Sequence, residues 1–567
     1  MPIKRRGFLR LAGGTAIAAG ALSMVALMDN VAAENASDAT MSPFGISGSS
    51  TRTRGMNLMA WIPQMSALGI RWLRDPGGTG WVGNKRTNFQ YLDEKLDYLA
   101  SKNFTTGGTF YNYRPGPRDG FPLDDLPGWS DDVGALVRYT KGRIKYWEIW
   151  NEPPNGTPNS PASDYSKLVI ATYDAAKQAN PNCLVGIAAK SVDVNYLDQA
   201  IKAGAKDHFD FITLHPYETL GCTMDVSGAE SLFMNIVPAV RKMLAAQDPD
   251  KVNVPIIFTE IGFDSRQGAK LQAYALVKTY TMGIAEGVAC IEWFEGMDGD
   301  SGPMGLIAGD GKSRPAYKAL GQMIRHLGQH PAYLGWVLLN DKNYGFLFQG
   351  DKGTVLVTWA AKGTTDAIDL GQRVTITDPL TGDATQSSDY TLTEAPVIID
   401  HPPQSLVTQA QVNKTKPFPW GGDYTNAKSI SVTYGTTNIE KGLHTQSAAS
   451  IAADVVLYGG GARVGNVPGG NAFMVDPNFL TYTSTPIEIT AVVRLNAAND
   501  PAKLELEYES DKGYKKAPIY DVPDNTDWHK ATWRIHDEQF VGKWGFNFRL
   551  NSGNYVIKSV TVTKLDQ

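Results

Sequence analysis

Two glutamates close short apolar runs in this 567-residue chain. Glu152 ends Tyr146-Trp147-Glu148-Ile149-Trp150-Asn151-Glu152-Pro153, and Glu260 ends Ile256-Ile257-Phe258-Thr259-Glu260-Ile261-Gly262. A pair of carboxyl groups on either side of a glycosidic bond can hydrolyse it with retention. One, protonated, delivers its proton to the leaving oxygen, and the other, ionised, attacks the anomeric carbon. Residue type alone does not make such a pair, because a carboxylate at a strand end is ordinarily solvated or salt-bridged. The chemistry requires a scaffold that carries both run ends to one place.

Residues 42–330 supply the pattern of one. Eight β-rich runs (Phe44–Ser47, Ile70–Asp75, Thr105–Tyr111, Ile144–Asn151, Cys183–Ala189, Phe209–Pro216, Val254–Gly262 and Cys290–Glu295) alternate with helical stretches such as Phe89/Leu92/Leu96/Leu99. Several runs are almost wholly apolar, as strands covered on both faces must be. Eight strand–helix pairs in fewer than 300 residues predict an α/β fold, a (β/α)8 barrel, in which carboxyl ends of strands converge on one mouth. An open doubly wound sheet is the alternative, but no glycine-rich GxGxxG turn follows an early strand. In the barrel, Glu152 and Glu260 end strands four and seven and face one another.

Trp-Asn-Glu-Pro on strand four together with Thr-Glu-Ile-Gly on strand seven resembles clan A of the glycoside hydrolases, retaining (β/α)8 enzymes. The β-rich region directly after the barrel is most like the layout of family 39. The resemblance implies that Glu152 is the acid/base and Glu260 the nucleophile. Arg74 matches the clan's second-strand arginine, a cation that would hold Glu260 ionised, and the alternative is an ion pair with Asp75. Asn151 would donate to the sugar 2-hydroxyl. His215 and Tyr217, in His-Pro-Tyr, match a His-x-Tyr whose tyrosine bonds the nucleophile. Trp293 matches the platform beneath the reacting sugar, with barrel core as its other reading. To hold a proton, Glu152 is expected to sit in a partly apolar site made by its neighbours Trp147, Trp150 and Pro153-Pro154. Glu148 and Glu295 are rival carboxylates without a matching motif.

The composition agrees with a carbohydrate enzyme and excludes other classes. A formal net charge of −5 and the lack of a long basic run after the first ten residues argue against nucleic-acid binding. Cys183, Cys222 and Cys290 show no CxxC spacing, so neither a disulfide framework nor a zinc site is expected. No metal or organic cofactor is implied. Residues 1–33 read as a twin-arginine-type signal: Lys4-Arg5-Arg6, Gly7-Phe8-Leu9, an apolar Leu11–Met28 stretch, then Val31-Ala32-Ala33. Export to the periplasm or outside follows, with no membrane association after cleavage; an uncleaved anchor is the alternative.

After the barrel, residues 331–403 read as a small antiparallel sheet or sandwich. Residues 404–567 read as a polar, Pro-rich linker and a jelly-roll-like sandwich. Trp420, Trp528, Trp533 and Trp544 mark the last segment either as a saccharide-binding module or as a packed scaffold. Mouth loops at Tyr111–Arg118 and Gly296–Gly305 either shape subsites or merely connect. The expected protein is an exported retaining glycoside hydrolase of oligo- or polysaccharides. Its rival is a non-catalytic polysaccharide-binding or adhesin protein on the same scaffold.

Overall fold

A computed structural model describes residues 41–75, 81–82, 89–112, 121–154, 160–339, 343–435, 437–446 and 461–566. The expected signal segment, and most of the Tyr111–Arg118 loop, lie outside the described residues. Eight parallel strands close a ring: β1 (Phe44–Ser47), β2 (Trp72–Asp75), β3 (Thr105–Asn112), β4 (Ile144–Ile149), β5 (Leu184–Lys190), β6 (Phe211–His215), β7 (Ile256–Ile261) and β8 (Cys290–Phe294). β8 pairs back onto β1, with Gly45 opposite Glu292 and Ile46 opposite Trp293. The sequence runs overshoot at several ends. Pro255 lacks the N–H that an earlier start of β7 would use, and Trp150 leaves β4 with φ 68°.

Each strand is followed by an outer helix: α1 (Ile62–Leu68), α2 (Asp93–Ser101), α3 (Leu126–Thr140), α4 (Ala162–Ala179), α5 (Val194–Ala200), α6 (Ile236–Gln247), α7 (Ala269–Glu286) and α8 (Pro315–Leu327). α8 shows how sequence sets such a helix. Pro315 opens it, Ala316, Ala319, Leu320, Met323 and Leu327 bury one stripe, and Gly328 closes it on Ile324 O. α7 is buried on nearly every side, because a second layer lies over it.

That layer is one six-stranded antiparallel sheet: β9 (Ala332–Val337), β10 (Asn343–Gly350), β11 (Gly353–Ala360), β12 (Asp366–Thr377), β13 (Ala384–Leu392) and β14 (Val397–Asp400), in the order 9-10-11-14-12-13. Phe346, Val357 and Trp359 join the barrel core, while Leu347, Leu356 and Ile399 form a separate cluster with Val407 and Ala410. The last two lie on a helix, α9 (Gln404–Asn413), within the stretch expected as linker. Its polar composition hides a short apolar stripe, and the helix rests on β9 at Gly335, φ 141°. A Cβ there would sit 1.8 Å from Ala410 O, so only glycine admits the helix.

The described residues between 429 and 564 form two facing antiparallel sheets around a third core that includes Phe473, Ile489, Trp533 and Val560. Strict alternation over Ile487–Leu495, with every second residue buried, is what a half-exposed sandwich strand requires. Two of the four C-terminal tryptophans are buried, Trp420 at 3% and Trp533 at 5% exposure, and Trp528 and Trp544 are half-buried.

Candidate active site

The barrel mouth is built on a buried anion. Glu148 points inward from β4 and its Oε1 accepts from Thr213 Oγ1 (2.6 Å) and Thr259 Oγ1 (2.8 Å). Its Oε2 accepts from Arg74 Nε (2.9 Å), Arg74 Nη2 (2.5 Å) and Thr109 Oγ1 (3.2 Å). Burial disfavours this charge, but the Arg74 guanidinium, His215 and the Thr213 hydroxyl together outweigh it, leaving Glu148 well below the usual carboxylate range. Arg74 is in turn 2% exposed and bridges upward. Nη1 pairs with Glu260 Oε1, and Nη2 donates to Asn151 Oδ1 at 2.7 Å. Asp75, the alternative partner for Arg74, pairs with Lys95 instead.

Above this floor the two sequence-predicted carboxylates meet. An oxygen of Glu152, a ring nitrogen of His215 and an oxygen of Glu260 all lie within 4.8 Å of one another. Tyr217, just past the end of β6 at the start of a helix over Tyr217–Asp225, donates its hydroxyl to Glu260 Oε2 at 3.1 Å. Asn151 joins the site through its side-chain oxygen, which accepts from Arg74. Glu152 (φ 51°) and Trp150 (φ 68°) are both left-handed, a conformation that costs about 1 kcal/mol or more per non-glycine residue and turns the end of β4 into the mouth.

His215 connects the layers. Nε2 lies 2.9 Å from Thr259 Oγ1, and Nδ1 lies 3.0 Å from Glu152 Oε1. The Thr259 hydroxyl has one proton, which it gives to Glu148, so it must accept from Nε2–H. Nδ1 and Glu152 therefore share a single proton. Burial disfavours the imidazolium, but Glu260, Glu148 and Glu152 outweigh that and raise His215 to about 9. Burial likewise pushes Glu152 upward, but the His215 hydrogen bond and the charges of His215, Lys190 and Arg74 leave it lower than usual. In the open site the shared proton therefore rests on His215.

Of the sequence-predicted residues, Glu152, Glu260, Asn151, Arg74, His215 and Tyr217 come together. Trp293 does not. It pairs in register with Ile46 and Ile261, points away from the barrel axis into the helix layer, and has 0% exposure. The inward residues of β8 are Glu292 and Phe294, and Phe294 packs edge-on against Tyr217, centroids 6.5 Å apart. Among the described residues, Trp147 and Trp150 do not form the apolar pocket expected for Glu152: Trp147 stacks on Phe110, and Trp150 joins Tyr111, Phe121 and Trp129. Both rings serve packing, and a histidine faces the carboxyl instead.

The rival acids have other duties. Glu148 is the floor, and Glu295 ties two mouth loops by accepting from Ser49 N (3.2 Å) and Gly299 N (3.0 Å). Burial pushes Glu295 up to about 7. Sequence reasoning missed Thr109, Thr213 and Thr259, and the buried Glu292, which desolvation holds well above the carboxylate range. Their signal was parity: each sits on the inward face of its strand, as Arg74 and Glu148 do.

No protein-family model matches the chain, and no curated protein matches it either. Among solved structures it is similar to a family 39 glycoside hydrolase from the gut symbiont Bacteroides cellulosilyticus, at 18% identity over 63% of this chain and 80% of that one, TM-score 0.52. It is also similar to a glucosidase from Croceicoccus marinus (12% identity, 93% and 97% covered, TM-score 0.43). A family 5 glycoside hydrolase from Streptomyces cattleya in complex with GlcNAc gives 14% identity, 51% and 81% covered, TM-score 0.42. The fold shared with the family 39 structure is a (β/α)8 barrel followed by antiparallel β-sheets.

Proposed function

We propose that the chain is a retaining glycoside hydrolase that cleaves β-glycosidic bonds of an oligo- or polysaccharide by double displacement. The observation that carries this reading is the close approach of Glu152 and Glu260, with carboxylate oxygens within 4.8 Å across the mouth. Retention uses carboxyl groups about 5–5.5 Å apart, whereas inversion separates them by about 6.5–9.5 Å to admit a water. Glu260, neutralised by Arg74 and oriented by Tyr217, is the nucleophile. Glu152, sharing a proton with His215, is the acid and then the base. A purely binding protein has no use for this proton-sharing arrangement.

The electrostatics couple the two residues. Burial lowers the basicity of His215, and the negative charge of Glu260 is the strongest influence raising it. As Glu260 forms its bond to the anomeric carbon it loses that charge, and the imidazolium loses its main support. The shared proton then leaves Nδ1 for Glu152, and Glu152 passes that same proton to the leaving oxygen, so that His215 ends neutral and Glu152 ionised. Excluding water with bound sugar acts in the same direction, since desolvation favours the neutral pair. In the second step Glu152, ionised again, takes a proton from the attacking water.

Two tests follow from these roles. Glu152→Ala should lower glycosylation of unactivated substrates by about 10²–10⁴-fold and spare dinitrophenyl glycosides, whose leaving group needs no proton. Equal loss across all leaving groups, measured by pre-steady-state kinetics, would remove Glu152 as the acid. The pair also sets a pH limb. Its proton is present below the raised His215 value and lost above it, so kcat/KM on unactivated glycosides should fall above about pH 9. A limb that persists unchanged in Glu152→Ala would show that it belongs to another group.

A further inference from the structure

The last domain packs against the strand end beside Glu152. β5 ends at Lys190, whose N–H donates to Pro153 O at 3.2 Å, directly after Glu152, and whose positive charge favours the Glu152 carboxylate. Lys190 Nζ lies 5.7 Å from the ring centroid of Trp544, a residue of the C-terminal sandwich. Lys543 Nζ lies 4.9 Å from the same ring, and its ammonium pairs with Asp193. Both ammonium groups thus lie close to the indole, which remains half-buried rather than packed away.

The segment that presents it is pinned from both sides. Ser191 Oγ donates to Lys543 O, Cys222 Sγ donates to Gly545 O at 3.4 Å, and Gln446 Nε2 donates to Trp544 O at 3.1 Å. Gly542 and Gly545 both have positive φ (78° and 74°), and Gly545 N–H closes the turn on Gly542 O. A Cβ on Gly545 would fall 2.3 Å from Cys222 Sγ, so the turn can sit against the barrel only with glycine there. Behind it, Asn195 donates to Ser510 O and Gln539 O, and Tyr482 donates to Asp198. A half-exposed indole fixed this firmly is a preorganised surface.

We infer that Trp544, with Lys190 beside it, is the platform for the sugar on the leaving-group side, so that the C-terminal domain completes a site for a saccharide. The inference rests on the glycosidase reading for its orientation. The acid touches the glycosidic oxygen, so a surface anchored beside Glu152 lines the side of the departing sugar. A pyranose would lay its C–H face on the indole and turn a hydroxyl oxygen toward Lys190 Nζ. The substrate class is then a glycan with at least one sugar beyond the bond cut, rather than a simple alkyl or aryl glycoside.

The test uses the full chain, Trp544→Ala and Trp544→Phe. Probes are cellotriose, laminaritriose, xylotriose and mannotriose, with β-glucosyl, β-xylosyl and β-mannosyl fluorides, which have no leaving-group sugar. On the trisaccharide that the wild type cleaves best, Trp544→Ala should lower kcat/KM about tenfold or more and Trp544→Phe should recover most of it. The matching fluoride should change by less than about twofold. Equal losses on trisaccharide and fluoride, or no loss on either, would overturn the platform. Trisaccharide binding, read by tryptophan fluorescence, decides the matter without turnover. A chain that hydrolyses no fluoride yet loses trisaccharide binding in Trp544→Ala sinks the glycosidase reading and leaves the platform standing. Absence of any wild-type response to the four trisaccharides overturns the platform itself.

Discussion

Glu260→Ala should abolish hydrolysis, with kcat falling by about four to six orders of magnitude, as removal of a covalent nucleophile does. The informative measurement is what added azide then makes. The variant has a gap where the carboxylate stood, on the face of the sugar opposite the leaving group, while Glu152 and His215 still hold their proton. Azide entering that gap attacks an activated β-glycoside with inversion and gives the α-glycosyl azide, which NMR identifies. A β-glycosyl azide would reverse the two roles. Recovery of hydrolysis without any glycosyl azide would mean that Glu260 does not stand at the anomeric carbon.

The second large effect belongs to Arg74. It is 2% exposed and its guanidinium is shared by Glu148, Glu260 and Asn151, so Arg74→Met strands a buried carboxylate on one side and removes the cation beside Glu260 on the other. Breaking a buried pair by removing one partner costs about 3–5 kcal/mol, and the urea midpoint should fall accordingly. Activity of the protein that remains folded should drop about 10²-fold or more, through loss of fixed charge at the reacting centre. Arg74→Lys separates the two effects. A single ammonium restores a charge to the core but cannot bond Glu148, Glu260 and Asn151 in one plane, so stability should recover further than kcat. Wild-type stability in Arg74→Met would mean that Glu148 does not depend on it.

Much of this site was legible before any coordinates, because its parts sit at strand ends. Apolar runs located all eight barrel strands and a barrel gathers strand ends, which brought Glu152 and Glu260 together, while the resemblance to clan A motifs pointed to Arg74, Asn151, His215 and Tyr217. The failures came where pattern carries no face. Trp293 and Phe294 are adjacent aromatics on one apolar strand, and only the β1–β8 register says which points inward. The surroundings of Glu152 were misread for a related reason. Nearness in sequence to Trp147 and Trp150 says nothing about side-chain direction, and left-handed turns at Trp150 and Glu152 send neighbours opposite ways. The Thr109, Thr213 and Thr259 hydroxyls come from three separate strands and converge only in the closed ring. Contacts such as Asn195 to Ser510 join residues far apart in sequence, with no local signature at either end.

The layer over α7 has a consequence for how such a chain descends. Lys278 on α7 and Glu230 form a buried pair at 3.1 Å, and the third member is Trp359 on β11, which donates Nε1–H to Glu230 at 2.8 Å and sits beneath the ammonium. A barrel cut free at residue 330 would leave this pair without its lid and the apolar side of α7 in water. The accessory sheet is therefore not a detachable passenger. Barrel and sheet must be inherited together, and substitutions at Trp359 are constrained by partners that lie in the other half of the gene.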